Sequence, residues 1–487
     1  MPSSPHPWLP RIRASEKPRY LAIADVIAEE LRQGRLTPGD RLPPQRSLAD
    51  ALELDFTTIA RGYSEAQRRG LIESRVGNGT FVRDLPLCDA LLPDPLQAER
   101  AAPAPSQPAP CQPVARGARP RRPADLSMNL PPEIEDPVLL ARMRQGLAEV
   151  AEDLVGVLRY QEFGGAPEDR QAGADWLARR GLAAPLDRLL VCPGTHSALL
   201  AVLGSLAKAG DVVCAEALAY PGLRGLAAQL GLELIGLPLD ADGVRPDAFA
   251  EICRTRAPKA LYCNPTLNNP TTITSSLERR AALIEIARRH NVAIIEDDAY
   301  GALPVGGPPP LAALAPDLVF HIAGLAKSLG AGLRIAYLVA PEARRMWQLS
   351  AYLRATTVMA SPLTAALATR WIADGTADAM LDAVRAEAAA RQSYARQLLP
   401  VTDTGSKPEA FHLWLPLPPD WSRSSFAATL RASDIGLVVS DAFAVSGPPP
   451  EAVRVCLGGG GAAEIRSALD KIAHTLSQPP EFASAFL

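Results

Sequence analysis

The chain has 487 residues, a length that calls for two or more domains, and a composition of 47% apolar and 21% charged residues excludes wholesale disorder. A net charge of −3 neither requires nor forbids nucleic acid, because a small basic face hides easily in a large, nearly neutral chain. Seven cysteines without a CxxC pair or a histidine cluster nearby argue against a metal site or a disulfide framework, Met1–Pro10 lacks the apolar stretch of a signal peptide, and no apolar run approaches the roughly 20 residues of a membrane helix; the expectation is a cytoplasmic protein.

Residues 1–14 read as an N-terminal tail and 15–84 as a small domain. Tyr20, Ile23, Ala24, Ile27 and Leu31 recur at helical spacing, and Gly34 ends the pattern. After a turn at Thr37–Asp40, Ser47–Leu52 forms a short helix that Ser47 caps, and a second helix runs from about Thr57 to Arg69. Leu71–Glu73 and Thr80–Val82 read as two strands joined through Gly77-Asn78-Gly79, which is hairpin chemistry. Helix, helix-turn-helix and β-wing together make a winged helix.

Residues 85–124 contain ten prolines and read as a semi-rigid linker. From 125 to 487 short apolar strands alternate with amphipathic helices such as Leu277–His290. The strands expected are Leu189–Cys192, Val212–Cys214, Leu234–Leu237, Ala260–Cys263, Val292–Glu296, Leu318–Ile322 and Ile335–Val339. That alternation predicts an α/β unit with a mostly parallel sheet covered by helices, whose ligands sit in the loops after the strands.

The run Leu42-Pro-Pro-Gln-Arg46-Ser47-Leu-Ala, with Thr57-Thr58-Ile59, Tyr63, Gly70-Leu-Ile-Glu73 and Gly77-Asn-Gly79-Thr-Phe-Val82, closely resembles the GntR-type winged helix over residues 18–83. The resemblance implies binding to double-stranded operator DNA. Arg46 and Ser47 would face backbone phosphate, Thr57, Thr58 and Arg61 would open the recognition helix, and Gly79 would let the wing approach the minor groove. Phe56 and Ala60 stand where such modules usually carry arginine, and residues 1–84 hold 13 Lys+Arg against 11 Asp+Glu, a modest excess for a DNA module.

The loops of the larger unit carry a second set. Lys327 in Gly324-Leu-Ala-Lys327-Ser-Leu-Gly-Ala-Gly-Leu-Arg334 offers an amine for an aldehyde, with Arg334 for a phosphate dianion. Cys192-Pro-Gly194-Thr195-His196 ends a strand and opens a helix, where free N–H groups favour phosphate. Asp297 and Tyr300 follow another strand, and Asn269 and Tyr220 follow two more. In order and spacing the set resembles the fold-type I aminotransferases, over roughly residues 125–487. The resemblance implies pyridoxal 5′-phosphate (PLP) as cofactor, with Lys327 as its internal aldimine and Asp297 on the ring nitrogen. Asn269 and Tyr300 would bond the ring oxygen, Tyr220 would stack on the ring, and Gly194, Thr195, His196 and Arg334 would hold phosphate. Tyr160 would reach the partner subunit's phosphate, and Arg454 would pair with an acidic group of a substrate or effector. Hydroxyl residues usual three and one before the lysine are replaced by Gly324 and Ala326, and the glycine of an Asn-Pro-Thr-Gly motif by Thr272.

The fusion of the two modules resembles the MocR subfamily of GntR-type regulators. The resemblance implies a head-to-tail homodimer that senses a small amino compound, or PLP itself, and changes its hold on DNA. A working aminotransferase carrying an accessory N-terminal domain is the alternative reading.

Overall fold

A computed structural model describes residues 8–82, apart from 16–17, 34, 38, 53, 69–70 and 76–78, and then residues 125–399 and 407–478. The chain divides into two compact units, residues 1–115 and 116–487. The expected linker, 85–124, lies outside the described residues.

The small unit holds α1 (Leu9–Ala14), α2 (Arg19–Arg32), α3 (Gln45–Leu52), α4 (Phe56–Arg68) and an antiparallel pair, β1 (Ile72–Arg75) and β2 (Gly79–Val82). The expected tail at 1–14 is corrected in its second half. Leu9–Ala14 is a helix, and Trp8 and Ile12 are buried with Ile23, Ile27, Leu48, Leu52, Ile59, Tyr63 and Val82 in one core. Gly62 lets α4 approach α2, since a Cβ there would lie 2.9 Å from Ile23 Cβ. The Tyr63 hydroxyl donates to Pro43 O at 2.8 Å and pins the turn ahead of α3.

The large unit is built on a seven-stranded sheet. Its strands are β3 (Leu189–Cys192), β4 (Val212–Glu216) and β5 (Glu233–Leu237), then, beyond a small hairpin of β6 (Leu239–Asp240) and β7 (Gly243–Val244), β8 (Ala260–Cys263), β9 (Ala293–Asp297), β10 (Val319–Gly324) and β11 (Ala336–Val339). The order is β3-β11-β10-β9-β8-β4-β5, and only β11 runs against its neighbours. The central strands β4, β8 and β11, and the edge strand β3, are buried along their whole length, which is why they read as continuous apolar runs rather than alternating ones. A smaller sheet of β12 (His412–Pro416), β13 (Val438–Val439) and β14 (Ala452–Cys456) packs with helices Arg423–Ala432 and Ala462–Leu476 around its own core.

If α1 belongs to the core, Ile12→Ala should destabilise the small unit by about 2–4 kcal/mol. Denaturant-dependent hydrogen exchange of α2 in the full-length protein measures this, and a tail at 1–14 would leave the α2 midpoint unmoved.

Candidate functional site

Parallel strands bring their carboxyl ends to one edge of the sheet, and there the predicted residues of the large unit other than Tyr160 gather. Lys327 ends a single 3-10 turn that follows β10 directly. Its Nζ donates to Asn129 O and lies 5.9 Å from the centre of the Tyr300 ring. Burial pushes the amine down to about 8, and the guanidinium charges of Arg454 and Arg334 act in the same direction. An amine in that range is partly neutral near physiological pH, as a nucleophile toward an aldehyde must be. Tyr300 is buried and accepts from Asn129 Nδ2 at 2.9 Å. The same amide nitrogen lies 3.2 Å from His412 Nδ1, while His412 Nε2 lies 3.3 Å from Asn268 O. Burial holds His412 down to about 3, so the ring is neutral, donating from Nε2 and accepting at Nδ1.

Asp297 ends β9, between Glu296 and Asp298. Successive strand residues face opposite sides of the sheet, and this sorts the three carboxylates. Glu296 turns away from Lys327. It accepts from Leu311 N and Ala312 N, lies 2.8 Å from His321 Nδ1 and pairs with the fully buried Arg280 at 3.5 Å. Asp298 lies 3.8 Å from His321 Nε2 and 3.7 Å from Arg180. Burial alone would discharge His321, but the Glu296 carboxylate outweighs it and raises its pKa. Asp297 faces the other way. Its Oδ2 accepts from the Tyr262 hydroxyl at 2.9 Å, and its Oδ1 is buried without a partner. Burial lifts this carboxyl to about 6, and the Asp298 charge adds to the shift.

The phosphate side is built at the start of helix Thr195–Leu206. Gly194 caps it at φ +87°, and a Cβ there would lie 2.8 Å from the Arg334 guanidinium, so a bare backbone keeps the space between them. Arg334 itself sits in the left-handed region at φ +54°, and His196 is exposed. The missing hydroxyl at Gly324 has a structural counterpart. A Cβ at Gly324 would fall 2.2 Å from Thr195 Oγ1, so the Thr195 hydroxyl occupies the space that a side chain at 324 would take. Tyr220 precedes helix Pro221–Leu230 and folds over Gly222, where a Cβ would meet its ring at 2.3 Å.

Arg454, on β14, is buried. It donates through NH1 to Asn269 Oδ1 at 2.8 Å and through NH2 to Ser127 O at 2.6 Å, lies 5.0 Å from the Phe443 ring centre, and keeps a buried Nε without a partner. With Oδ1 so engaged, Asn269 retains its Nδ2 hydrogens for a ligand. Thr272 occupies the glycine position of its turn at φ +60°, a region that costs a β-branched residue strain. Tyr160 stands apart, 84% exposed, beside a groove of about 670 Å³ lined also by Pro193, Trp347 and Val358.

In the small unit the helix starts are corrected. α3 begins at Gln45, so Arg46 and Ser47 lie within its first turn and Ser47 is not its cap. α4 begins at Phe56, and Asp55 Oδ1 accepts from Thr57 N at 2.8 Å, so Asp55 supplies the cap. Arg46, Ser47, Thr57 and Arg61 are exposed and Thr58 half-buried. Arg61 lies over the Tyr20 ring, 4.4 Å from its centre. Gly79 opens β2 opposite Arg75, and the tip between the strands lies outside the described residues.

Sequence reasoning missed Asn129, Glu216, Tyr262, Asn264 and His412. Asn264 follows β8 immediately, a position that should have drawn notice. Its Nδ2 donates to Asp297 O at 2.6 Å, its Oδ1 accepts from Asn269 N at 2.9 Å, and its own N donates to Glu216 Oε1 at 2.7 Å. Burial lifts Glu216 to about 8, so it is largely neutral at pH 7. Nothing local marks Asn129, which comes to the site only through the tertiary fold.

A winged helix in the same chain as this lysine–aspartate–arginine site defines a DNA-binding transcription regulator with an aminotransferase-type second unit. Residues 19–82 match the family of bacterial regulatory proteins, gntR family, and residues 124–472 match aminotransferase class I and II. The chain is 30% identical over 453 residues to the uncharacterized HTH-type transcriptional regulator YdeF of Bacillus subtilis (strain 168), covering 93% of this chain and 92% of that one. It is also 30% identical to the probable rhizopine catabolism regulatory protein MocR of Rhizobium meliloti, covering 68% and 66% of the two chains. An archaeal alanine:glyoxylate aminotransferase superposes with a TM-score of 0.67 at 26% identity, covering 73% of this chain and 91% of that one. The chain belongs to the MocR subfamily of GntR-type transcription regulators, with a fold-type I aminotransferase domain. That fold implies PLP, and the residues fit it: a buried Asp297 oxygen lacks a partner, a glycine cradle faces Arg334, and an amine of lowered pKa stands nearby.

Because the folded pKa of Asp297 is raised from 3.8 to about 6, its burial costs stability that grows as pH rises through that interval. Cofactor-free Asp297→Asn should therefore be more stable than wild type at pH 8, by an order of 1–3 kcal/mol, with the gap closing toward pH 4. The same variant should retain PLP less well. Urea midpoints across pH and the visible absorbance check the two halves. Gly324→Ser should also weaken PLP retention, because its Cβ would displace the Thr195 hydroxyl.

Proposed function

We propose that the protein binds operator DNA through α3, α4 and the wing, and changes that binding when a small amino compound enters the Lys327 site. PLP supplies an aldehyde and an electron-withdrawing ring. On this reading Lys327 provides the amine that bonds the aldehyde, and Asp297 holds the proton of the ring nitrogen. Asn269 and Tyr300 orient the ring oxygen, Tyr220 covers the ring face, and Gly194, Thr195, His196 and Arg334 receive the phosphate. Arg454 receives an acidic group of the effector. The observation that carries the reading is the convergence of a buried arginine with an unpartnered Nε, a lowered-pKa lysine and an unpartnered aspartate oxygen at one sheet edge.

In DNA binding, Arg46 and Ser47 meet phosphate from the first turn of α3. Thr57 and Arg61 share one face of α4 and approach the major groove, Thr58 beside them, with Gly79 at the wing. The protein acts in the cytoplasm as a head-to-tail homodimer in which Tyr160 serves the partner's site. Supporting this, Val155, Leu158, Tyr160 and Trp347 are each at least two-thirds exposed in the single protomer, an apolar set of the kind that a second subunit covers. A transaminating enzyme is the second reading, favoured by the complete acid–base set around Lys327. Steady turnover of an amino donor and a keto acid would support it, and a spectral shift without turnover would support the sensor.

Lys327→Ala should abolish the visible PLP band and its loss on borohydride treatment. Arg46→Ala should weaken binding to all DNA and lower the salt slope by about one unit, read by gel shift over a salt series. Arg454→Ala should keep PLP but lose the effector-dependent change in operator affinity, which couplings of typical size place at about 5- to 150-fold. A wild-type response in that variant would remove the acidic effector from the proposal.

A further inference from the structure

The segment Leu126–Leu130 is the first stretch of the large unit after residues 85–124, and the site holds three of its backbone carbonyls and the Asn129 side chain. Leu126 O accepts from Cys456 N at 3.0 Å. Ser127 O accepts from Arg454 NH2 at 2.6 Å, and Asn129 O accepts from Lys327 Nζ. The Asn129 side chain donates to Tyr300 at 2.9 Å and lies 3.2 Å from His412 Nδ1. Leu130 O is packed so tightly on Gly458 that a Cβ there would lie 1.8 Å away. The two side chains proposed to take the ligand, Lys327 and Arg454, are thus the same two that hold the backbone of this segment.

We propose that Leu126–Leu130 is the element that reports occupancy of the site to the DNA-binding unit, an inference that rests on the sensor reading above. When the Lys327 amine condenses with an aldehyde, a C=N bond forms, and the two amine hydrogens leave with the aldehyde oxygen as water. Nζ can then no longer donate those hydrogens to Asn129 O. An acidic group at Arg454 competes for NH2 with Ser127 O, and a charged acceptor outbids a neutral carbonyl. Ligand and segment therefore exclude one another at two points about the same site. The segment continues along the chain, through residues 85–124, to the winged helix, so its release reaches that unit by covalent continuity. A ligand shifts the equilibrium only by its unequal affinity for the two states, and these two displaced bonds are the source of the inequality.

The test uses the full-length protein with PLP, whose aldehyde takes the Lys327 amine away from Asn129 O, and, in place of PLP, with the stable adduct N-(5′-phosphopyridoxyl)-L-alanine, which leaves that amine free and displaces Ser127 O from Arg454 through its carboxylate. Two readouts are followed: hydrogen exchange of peptides spanning 125–131, and operator affinity by gel shift. In wild type the adduct should speed exchange of 125–131 at least fivefold and change operator affinity at least fivefold. Gly458→Ala touches neither Lys327 nor Arg454 but forces Leu130 outward. Without ligand it should already show fast exchange and an operator affinity within about twofold of the adduct-loaded wild type. Asn129→Ala, which removes the side-chain anchors, should shift both readouts in the same direction and serves if Gly458→Ala does not fold by circular dichroism. If the adduct changes wild-type operator affinity while 125–131 exchange stays fixed, or these variants respond like wild type, this inference is overturned and the sensor reading stands. If the adduct binds but leaves wild-type operator affinity unchanged, the sensor reading falls and takes this inference with it.

Discussion

The structure depends most on one constraint, the burial of a carboxylate at the end of β9 with one oxygen left unpaired. Removing such a group from water is costly unless charge or hydrogen bonds compensate, and the fold supplies compensation selectively. Glu296 and Asp298, on the opposite face, are balanced by Arg280, His321 and Arg180. For Asp297, burial outweighs the Tyr262 hydroxyl, the Ala299 backbone and the charge of Lys327, so its pKa rises. Three consecutive acidic residues are thus divided by strand alternation into a structural pair and one poised group. Asn264 and the largely neutral Glu216 beneath it fix Asp297's backbone without adding a second negative charge. Asp297 Oδ1 is left without a partner, and a protonated ring nitrogen is the kind of group that completes it.

Much of this was legible in the sequence because the signals are local. The fully buried strands appear as uninterrupted apolar runs, and Leu277–His290 is bounded by a serine cap and basic last-turn residues, so its ends were read to the residue. Strand ends were read short at β4, β9 and β10 because residues that break the apolar run, the acidic Glu216 and Asp297 and the side-chain-less Gly324, belong to the strands. The errors in the small unit share another cause. Ser47 and Thr57 are good capping types, but Asp55 lies closer to the start of α4 and ionises, and α3 begins two residues ahead of Ser47. Trp8 and Ile12 lie in a proline- and arginine-rich stretch too short to show periodicity, so only tertiary packing reveals α1. Asn129 and His412 were invisible because no spacing rule links positions 283 residues apart.

The departures from the aminotransferase pattern look different once placed in space. Gly324 removes a hydroxyl, and the Thr195 hydroxyl at the start of the next helix stands in the space a side chain at 324 would take. Thr272 has no such counterpart. It carries a left-handed backbone and a buried hydroxyl without a partner, two costs that glycine would avoid. A site under selection for fast turnover alone has no evident use for either change, whereas a site whose task is to bind and shift an equilibrium tolerates losses of rate.

The same physics explains why a weakly charged winged helix suits a regulator. Residues 1–84 carry a net of only +2, and Arg61, a candidate for DNA, already rests on Tyr20. Few phosphate contacts would mean low non-specific affinity and a shallow salt slope, and on the reading proposed above operator binding rests on a small number of interactions from Arg46, Thr57 and their neighbours. Binding that rests on few interactions is sensitive to small changes in how the DNA-binding unit is presented. A coupling of about 1–3 kcal/mol is modest against the roughly 4–10 kcal/mol separating specific from non-specific sites, yet it suffices to empty or fill an operator held near half-saturation. Two hydrogen bonds to charged donors, at Ser127 O and Asn129 O, are of that size, at about 1.5–3 kcal/mol each before competition from ligand and water is subtracted. The weak DNA module and the small number of displaceable bonds are therefore matched in energy, and neither would give a switch with a much stronger partner.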